Sequence, residues 1–220
     1  MGLTGQRRAV IRKILGATIA ATGYGSVERS PREREYLVKL RGEANARHIT
    51  DTSQRFVRFL EHTKAQYDDY VANEVFPFID SQCQTPGIGI ATLGASLGAY
   101  HAANTLFKHP DHVKRCYALS GIYDMRDSMD GMYDDNFYFN NPVDYVANQS
   151  DPWYLHQYAA CDIRLVTGCG PWENSGPTYR MSEILKNRSI AHHLDDWGPE
   201  GGHEWPYWHH QMWEYVGAHY

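Results

Sequence analysis

Long apolar runs are missing from this 220-residue chain. None is long enough to cross a bilayer, which argues against a helical membrane protein. Cysteine is sparse and unpatterned. Cys83, Cys116, Cys161 and Cys169 form no CxxC pair and no disulfide-dense framework, so free thiols in a reducing, cytoplasmic compartment fit best. An excess of positive charge is also missing. The 21 Lys and Arg against 26 Asp and Glu give a formal charge of -5 and a pI near 6.2, which offers no basis for nucleic-acid binding. Metal-ligand spacing is absent too. There is no HExxH, and in His192-His193 and His209-His210 the adjacent side chains point different ways from one element. These pairs, with His203, Asp195 and Asp196, therefore rank last as a metal site, and no cofactor is expected. The chain carries no internal repeat and no low-complexity linker.

What is present suits a globular protein. Hydrophobic residues make up 42%, and mean hydropathy is -0.57, as in a soluble protein of one domain spanning 1–220. Two regions differ in character. Residues 1–60 are charged and helical in pattern. Arg7-Arg8 and Arg12-Lys13 ahead of Ile14–Ala21 loosely imitate a secretory signal, but the apolar stretch is short and the cleavage site poor. Ser30-Pro31-Arg32-Glu33 combines an N-cap, a first-turn proline and a capping-box glutamate. A second helix starts near Thr50–Ser53 and carries Phe56, Leu60, Tyr67 and Val71 at helical spacing. Pro77 is expected to limit it. From residue 86 onward strands alternate with helices. Strands are expected at 88–93, 114–119, 163–167 and 191–194, and helices at 97–108, 179–187 and 205–216. This alternation implies a mainly parallel sheet covered on both faces, with functional groups at the carboxyl ends of its strands.

One segment carries chemistry. Ile88–Leu93 is a short apolar run after Pro86-Gly87, followed by Gly94-Ala95-Ser96-Leu97-Gly98 and then a proline-free run up to Lys108, closed by Pro110. A bare Gly-x-Ser-x-Gly arises often by chance. Strand, turn and helix in this order make it a nucleophile elbow, with glycines where strand and helix backbones pass closely. A serine hydroxyl needs a base to take its proton and a third group to orient that base. Glu173, in Gly168-Cys169-Gly170-Pro171-Trp172-Glu173-Asn174 directly after a strand, is the best acid. A solvated loop glutamate is the competing account, and Asp195 and Asp196 are reserves. Among 12 histidines, His203 alone combines the right chain order with a glycine-rich loop, Gly198–Gly202, ahead of the last helix. The oxyanion hole would take the Leu97 N–H. Its second donor has only the weak upstream candidate Gly23-Tyr24-Gly25-Ser26.

Gly94–Ala102, Leu119-Ser120-Gly121-Ile122-Tyr123-Asp124, Asn140-Asn141-Pro142 with Asp151–Leu155, and Gly202-His203-Glu204-Trp205-Pro206-Tyr207-Trp208 together resemble the putative esterase family related to esterase D. That family belongs to the α/β-hydrolase superfamily, and the similarity runs over about residues 62–220. The resemblance implies a three-layer α/β sandwich and a small-molecule ester as substrate. It also implies hydrolysis through an acyl-enzyme, with Ser96 as nucleophile and His203 as base. Residues 1–60 do not resemble the family's first strands. A sheet lacking those strands would expose an apolar edge, to be covered by a second copy of the chain or by the N-terminal helices. The competing function is a degenerate relative that binds without turnover. The segment Asp124–Asn141, with Met125, Met129, Met132, Tyr133, Phe137 and Tyr138, suits either an acyl-pocket wall or a loop packed for stability.

Overall fold

The computed structural model describes residues 67–85, 87–128 and 133–217. The expected helices near residues 30 and 50, the signal-like stretch and Gly23–Ser26 lie outside the described residues. No helix among the described residues is long and apolar enough to cross a membrane.

The first element corrects one expectation. Residues 67–83 run as one helical stretch straight past Pro77. A π-turn, Val71–Val75, precedes α1 (Phe76–Cys83), and the Phe76 N–H bonds to Val71 O, five residues back. Pro77 sits in the first turn of α1, where its missing donor costs little. The wide turn before it makes room for the ring. The helix ends at Gln84, which takes the left-handed conformation.

Four strands then form a parallel sheet in sequence order: β1 (Ile90–Ala95), β2 (Val113–Leu119), β3 (Asp162–Thr167) and β4 (His193–Asp196). Between them run α2 (Leu97–Lys108), the short α3 (Asp135–Tyr138) and α4 (Pro142–Tyr145), α5 (Pro152–Tyr158) and α6 (Gly176–Asn187). The last helix, α7, is Trp205–Met212. The α2 bounds match those expected. β1 and β4 lie two residues later than their apolar runs suggest. Pairing sets a strand, and β4 pairs through His193↔Arg164 to Asp196↔Thr167. A half-exposed edge strand tolerates these polar residues, so Asp195 and Asp196 lie in β4 rather than beyond it.

Alternation along β2 and β3 separates the layers. Cys116, Ala118, Ile163 and Leu165 face the larger core with Ala99, Ala103 and Leu106 of α2 and Met181 and Leu185 of α6. Leu119 and Val166 face the other way and pack with Trp208 of α7. Tyr117 stacks on Tyr215 on that same side. The chain is thus a three-layer α/β structure. Small residues on α2 let it lie close to the sheet, and burial pushes the Cys116 thiol up to about 12.

Asp68 fastens the first helix to the end of α2, 2.7 Å from Lys108 Nζ and 2.9 Å from His109 Nε2. Burial alone would raise its carboxyl, but the hydrogen bonds from His109 and Lys108 outweigh this and hold it below the usual value. A lowered carboxyl stabilises the fold above its unfolded value, near pH 4, and that contribution disappears as pH falls through the folded value. Asp68→Asn should therefore cost about 1 kcal/mol at neutral pH. It should also shrink the acid-induced loss of melting temperature, as followed by circular dichroism.

Candidate active site

Ser96 occupies the turn between β1 and α2 with φ 55° and ψ -119°. Such a backbone costs a non-glycine residue about 1–3 kcal/mol and persists only where its surroundings enforce it. They do so here. The Ser96 N–H bonds to Leu119 O at 2.9 Å, continuing the β1–β2 ladder, while Ser96 O accepts from Ala99 at 3.0 Å to start the helix. A Cβ on Gly94 would fall 2.1 Å from Gly98 O, so no side chain fits where strand and helix cross. The sequence reading of these glycines holds at this contact. Leu97 is the first residue of α2, so its N–H has no intrahelical acceptor and stands at the positive end of the helix.

The partners of Ser96 come from two loops at the carboxyl end of the sheet. After β3 the chain runs Gly168–Ser175, and after β4 it runs Trp197–Glu204. Three backbone bonds join them: Cys169 N–H to Gly198 O at 2.7 Å, Gly170 N–H to Gly201 O at 3.0 Å, and His203 N–H to Pro171 O at 2.9 Å. The approach is so close that a Cβ on Gly168 would lie 2.4 Å from Gly201 O. This pairing sets His203 beside Glu173. His203 Nε2 lies 3.0 Å from Ser96 Oγ, and Nδ1 lies 3.5 Å from Glu173 Oε2. The Glu173 side chain is 1% exposed, so it is no solvated loop glutamate. A carboxylate can only accept, which assigns the His203 proton to Nδ1 and leaves Nε2 free to accept from the serine. The 3.5 Å gap is longer than a formed hydrogen bond. Glu173 Oε1 accepts from Thr167 Oγ1 at 3.1 Å.

The structure brings Ser96, His203 and Glu173 together, with Leu97 N–H beside the serine. It leaves the reserve acids elsewhere. Asp195 accepts from Tyr215, and Asp196 accepts from Tyr179 and from the Gly198 N–H. The Tyr179 and Gly198 hydrogen bonds hold the Asp196 carboxyl below its usual value. His192 bonds Ser182 and Ile190 O, His101 packs on Tyr67 and Tyr100, and His209 and His210 are exposed on α7.

The segment Asp124–Asn141 is pinned where it is described. Asn141 bonds Asp124, Asp144 and the Met125 N–H, Arg126 pairs with Asp124 and Asp144, and Phe137 is buried. Met129 and Met132 lie outside the described residues. Sequence reasoning missed three supports of the site. Thr167 holds Glu173. Trp208 packs edge-to-face with His203, ring centroids 4.9 Å apart, and donates to Ser120 Oγ at 3.0 Å. Ser120 itself, at φ 52°, continues the β2–β3 ladder through Val166 O. Thr167 was visible as a polar end to an apolar strand, and Ser120 and Trp208 stand in the segments that resemble the family, but none of these signals assigned a contact.

Comparison with known proteins finds a family model that covers most of the chain. The family model described as putative esterase matches residues 58–219. No curated protein matches. Among solved structures, a ferulic acid esterase is 20% identical with a TM-score of 0.52, covering 67% of this chain and 58% of that one. FphF, a fluorophosphonate-binding serine hydrolase of Staphylococcus aureus, is 19% identical with a TM-score of 0.49, covering 69% and 62%. An S-formylglutathione hydrolase (FrmB) of Staphylococcus aureus is 15% identical with a TM-score of 0.47, covering 70% and 61%. The chain spans about three fifths of the length of these structures.

Gly168→Ala tests the loop pairing. Its Cβ meets backbone atoms of Gly201 and Gly198, which have no flexible end to yield. The substitution should cost about 1–3 kcal/mol by thermal melting. It should also pull His203 from Ser96, seen as a changed imidazole proton spectrum.

Proposed function

Because the chain belongs to the putative esterase family, we propose that it hydrolyses carboxylic esters of small or medium acyl groups through a covalent acyl-serine. The observation that carries this reading is the 3.0 Å approach of His203 Nε2 to Ser96 Oγ on a strained strand-to-helix turn. His203 takes the Ser96 proton as Oγ bonds to the ester carbonyl carbon. The carbonyl oxygen becomes an oxyanion facing the Leu97 N–H at the start of α2, where backbone donor and helix dipole both favour negative charge. The tetrahedral species collapses, the C–O bond to the alcohol breaks, and the alcohol leaves with the proton from His203. Water then repeats the cycle. His203 removes its proton, hydroxide adds to the acyl carbon, and the acid departs as Ser96 regains its proton. Glu173 holds the Nδ1–H tautomer and stabilises the imidazolium as it forms. That role needs the 3.5 Å gap to close by about half an ångström, as such contacts do on substrate binding.

The four free cysteines support a reducing, cytoplasmic setting. Binding without turnover is the second reading, favoured by the length of the Glu173–His203 contact, and the same assay separates the two. Hydrolysis of a short-chain nitrophenyl ester should fall by about four orders of magnitude or more in Ser96→Ala, and by about three to four orders in Glu173→Gln, with folding intact. The binding reading predicts a folded wild-type protein with no rate above buffer, and robust turnover rejects it. A rate unchanged in Ser96→Ala would remove Ser96 as nucleophile.

A further inference from the structure

Glu173 orients His203, so its carboxylate must itself be oriented. Glu173 Oε2 lies 3.5 Å from His203 Nδ1, longer than a hydrogen bond, and has no hydrogen-bond partner among the described residues. The terminal torsion of a glutamate is broad and roughly two-fold, so a rotamer does not set the plane of its two oxygens. The side chain reaches inward from a tight turn, closed by the Glu173 N–H on Gly170 O at 3.2 Å. At 1% exposure it is directed by the protein groups around it.

One group supplies that direction. Thr167 Oγ1 lies 3.1 Å from Glu173 Oε1, and because an ionised carboxylate only accepts, the hydroxyl donates. The buried hydroxyls of Tyr123 and Thr178 have no hydrogen-bond partner among the described residues, so neither shares this task. Thr167 is itself firmly held. It is fully buried, ends β3 and pairs with Asp196 of β4. Its carbonyl accepts at 2.9 Å from the N–H of Trp197, the first residue of the histidine loop. Hydroxyl and carbonyl of one residue thus hold the side chain of the acid and the start of the loop that carries the base. With Oε1 tied to Thr167, Oε2 is the oxygen left for Nδ1. Thr167→Val would fill the same space and continue the apolar run of Ile163, Leu165 and Val166, yet leave Oε1 without its donor.

We infer that Thr167 is a positioning residue of the reaction: its hydroxyl sets the plane of the Glu173 carboxylate, so that Oε2 meets His203 Nδ1 as the gap closes. This rests on the esterase reading above. A hydrogen bond to an ionised acceptor is about twice as strong as a neutral one, which suits it to fixing a torsion that packing leaves loose.

The test follows hydrolysis of ethyl butanoate by pH-stat in variants shown to be folded by circular dichroism. Thr167→Val keeps the side-chain volume and removes the donor. It should lower kcat about tenfold to a hundredfold and leave KM within about twofold. Thr167→Ser keeps the donor and loses a buried methyl group. It should hold kcat within about threefold of wild type, even where it melts lower. In a Glu173→Ala background, Thr167→Val should change kcat by less than about twofold, because the carboxylate it would misplace is gone. Thr167→Ser as slow as Thr167→Val, unchanged kcat in Thr167→Val, or an undiminished loss in the Glu173→Ala background would overturn the inference and make Thr167 a packing residue. If wild type hydrolyses neither this ester nor the nitrophenyl ester, the esterase reading fails on its own. The imidazole proton spectrum of His203 then decides. A change in Thr167→Val that Thr167→Ser does not share upholds the positioning role. No change in Thr167→Val, or the same change in both variants, rejects it.

Discussion

The site depends on the pairing of two loops through their backbones. Hydrogen bonds from Cys169, Gly170 and His203 cross from one loop to the other, and they place a histidine from one beside a carboxylate from the other. The acid loop is irregular, and the histidine loop carries a single 3-10 turn, Gly198–Glu200, with Trp197 packed on the core beneath it. Their joint geometry comes from main-chain bonds and from glycines that let two backbones meet. Gly168 approaches Gly201 more closely than any side chain would allow. With that contact in place, the imidazole has one side for Glu173 and the other for Ser96.

The serine is fixed by an independent constraint at the other end. Its strained turn is held by the ladder bond to Leu119 and by the Gly94–Gly98 crossing. The two constraints converge because β1, β2, β3 and β4 are parallel neighbours in sequence order, so their carboxyl ends share one edge. Trp208 bridges these parts from the opposite layer. Its ring meets that of His203 edge to face, and its Nε1 donates to Ser120, the residue after β2. The helix that follows the histidine loop thus also fixes the imidazole.

Much of this was legible in the residues, and the limits are physical. Ser96, Glu173 and His203 were readable because acyl transfer demands three residue types in a given chain order, on loops that glycine marks. The α2 bounds were readable because turn and helix signals agreed at both ends. Strand ends were less legible: β1 and β4 are set by pairing partners that a single strand's apolarity does not encode. For the same reason Asp195 and Asp196 fell inside β4. Pro77 misled because a proline in a first helical turn after a π-turn looks, in sequence, like a helix stop. The Trp208–Ser120 and Ser120–Val166 bonds were hidden because they join distant segments, and Thr167–Glu173 because the course of a loop decides which of its side chains meet.

The central claim is that Ser96 is activated by His203. A fluorophosphonate reports this directly, since its phosphorus is captured only by a serine whose proton has a base to go to. Intact-mass and peptide mapping after exposure should show a single adduct on Ser96, lost when His203 is replaced by alanine in a protein that still folds. An adduct at another residue with Ser96 unmodified, or no adduct on the folded wild-type protein, would contradict the account.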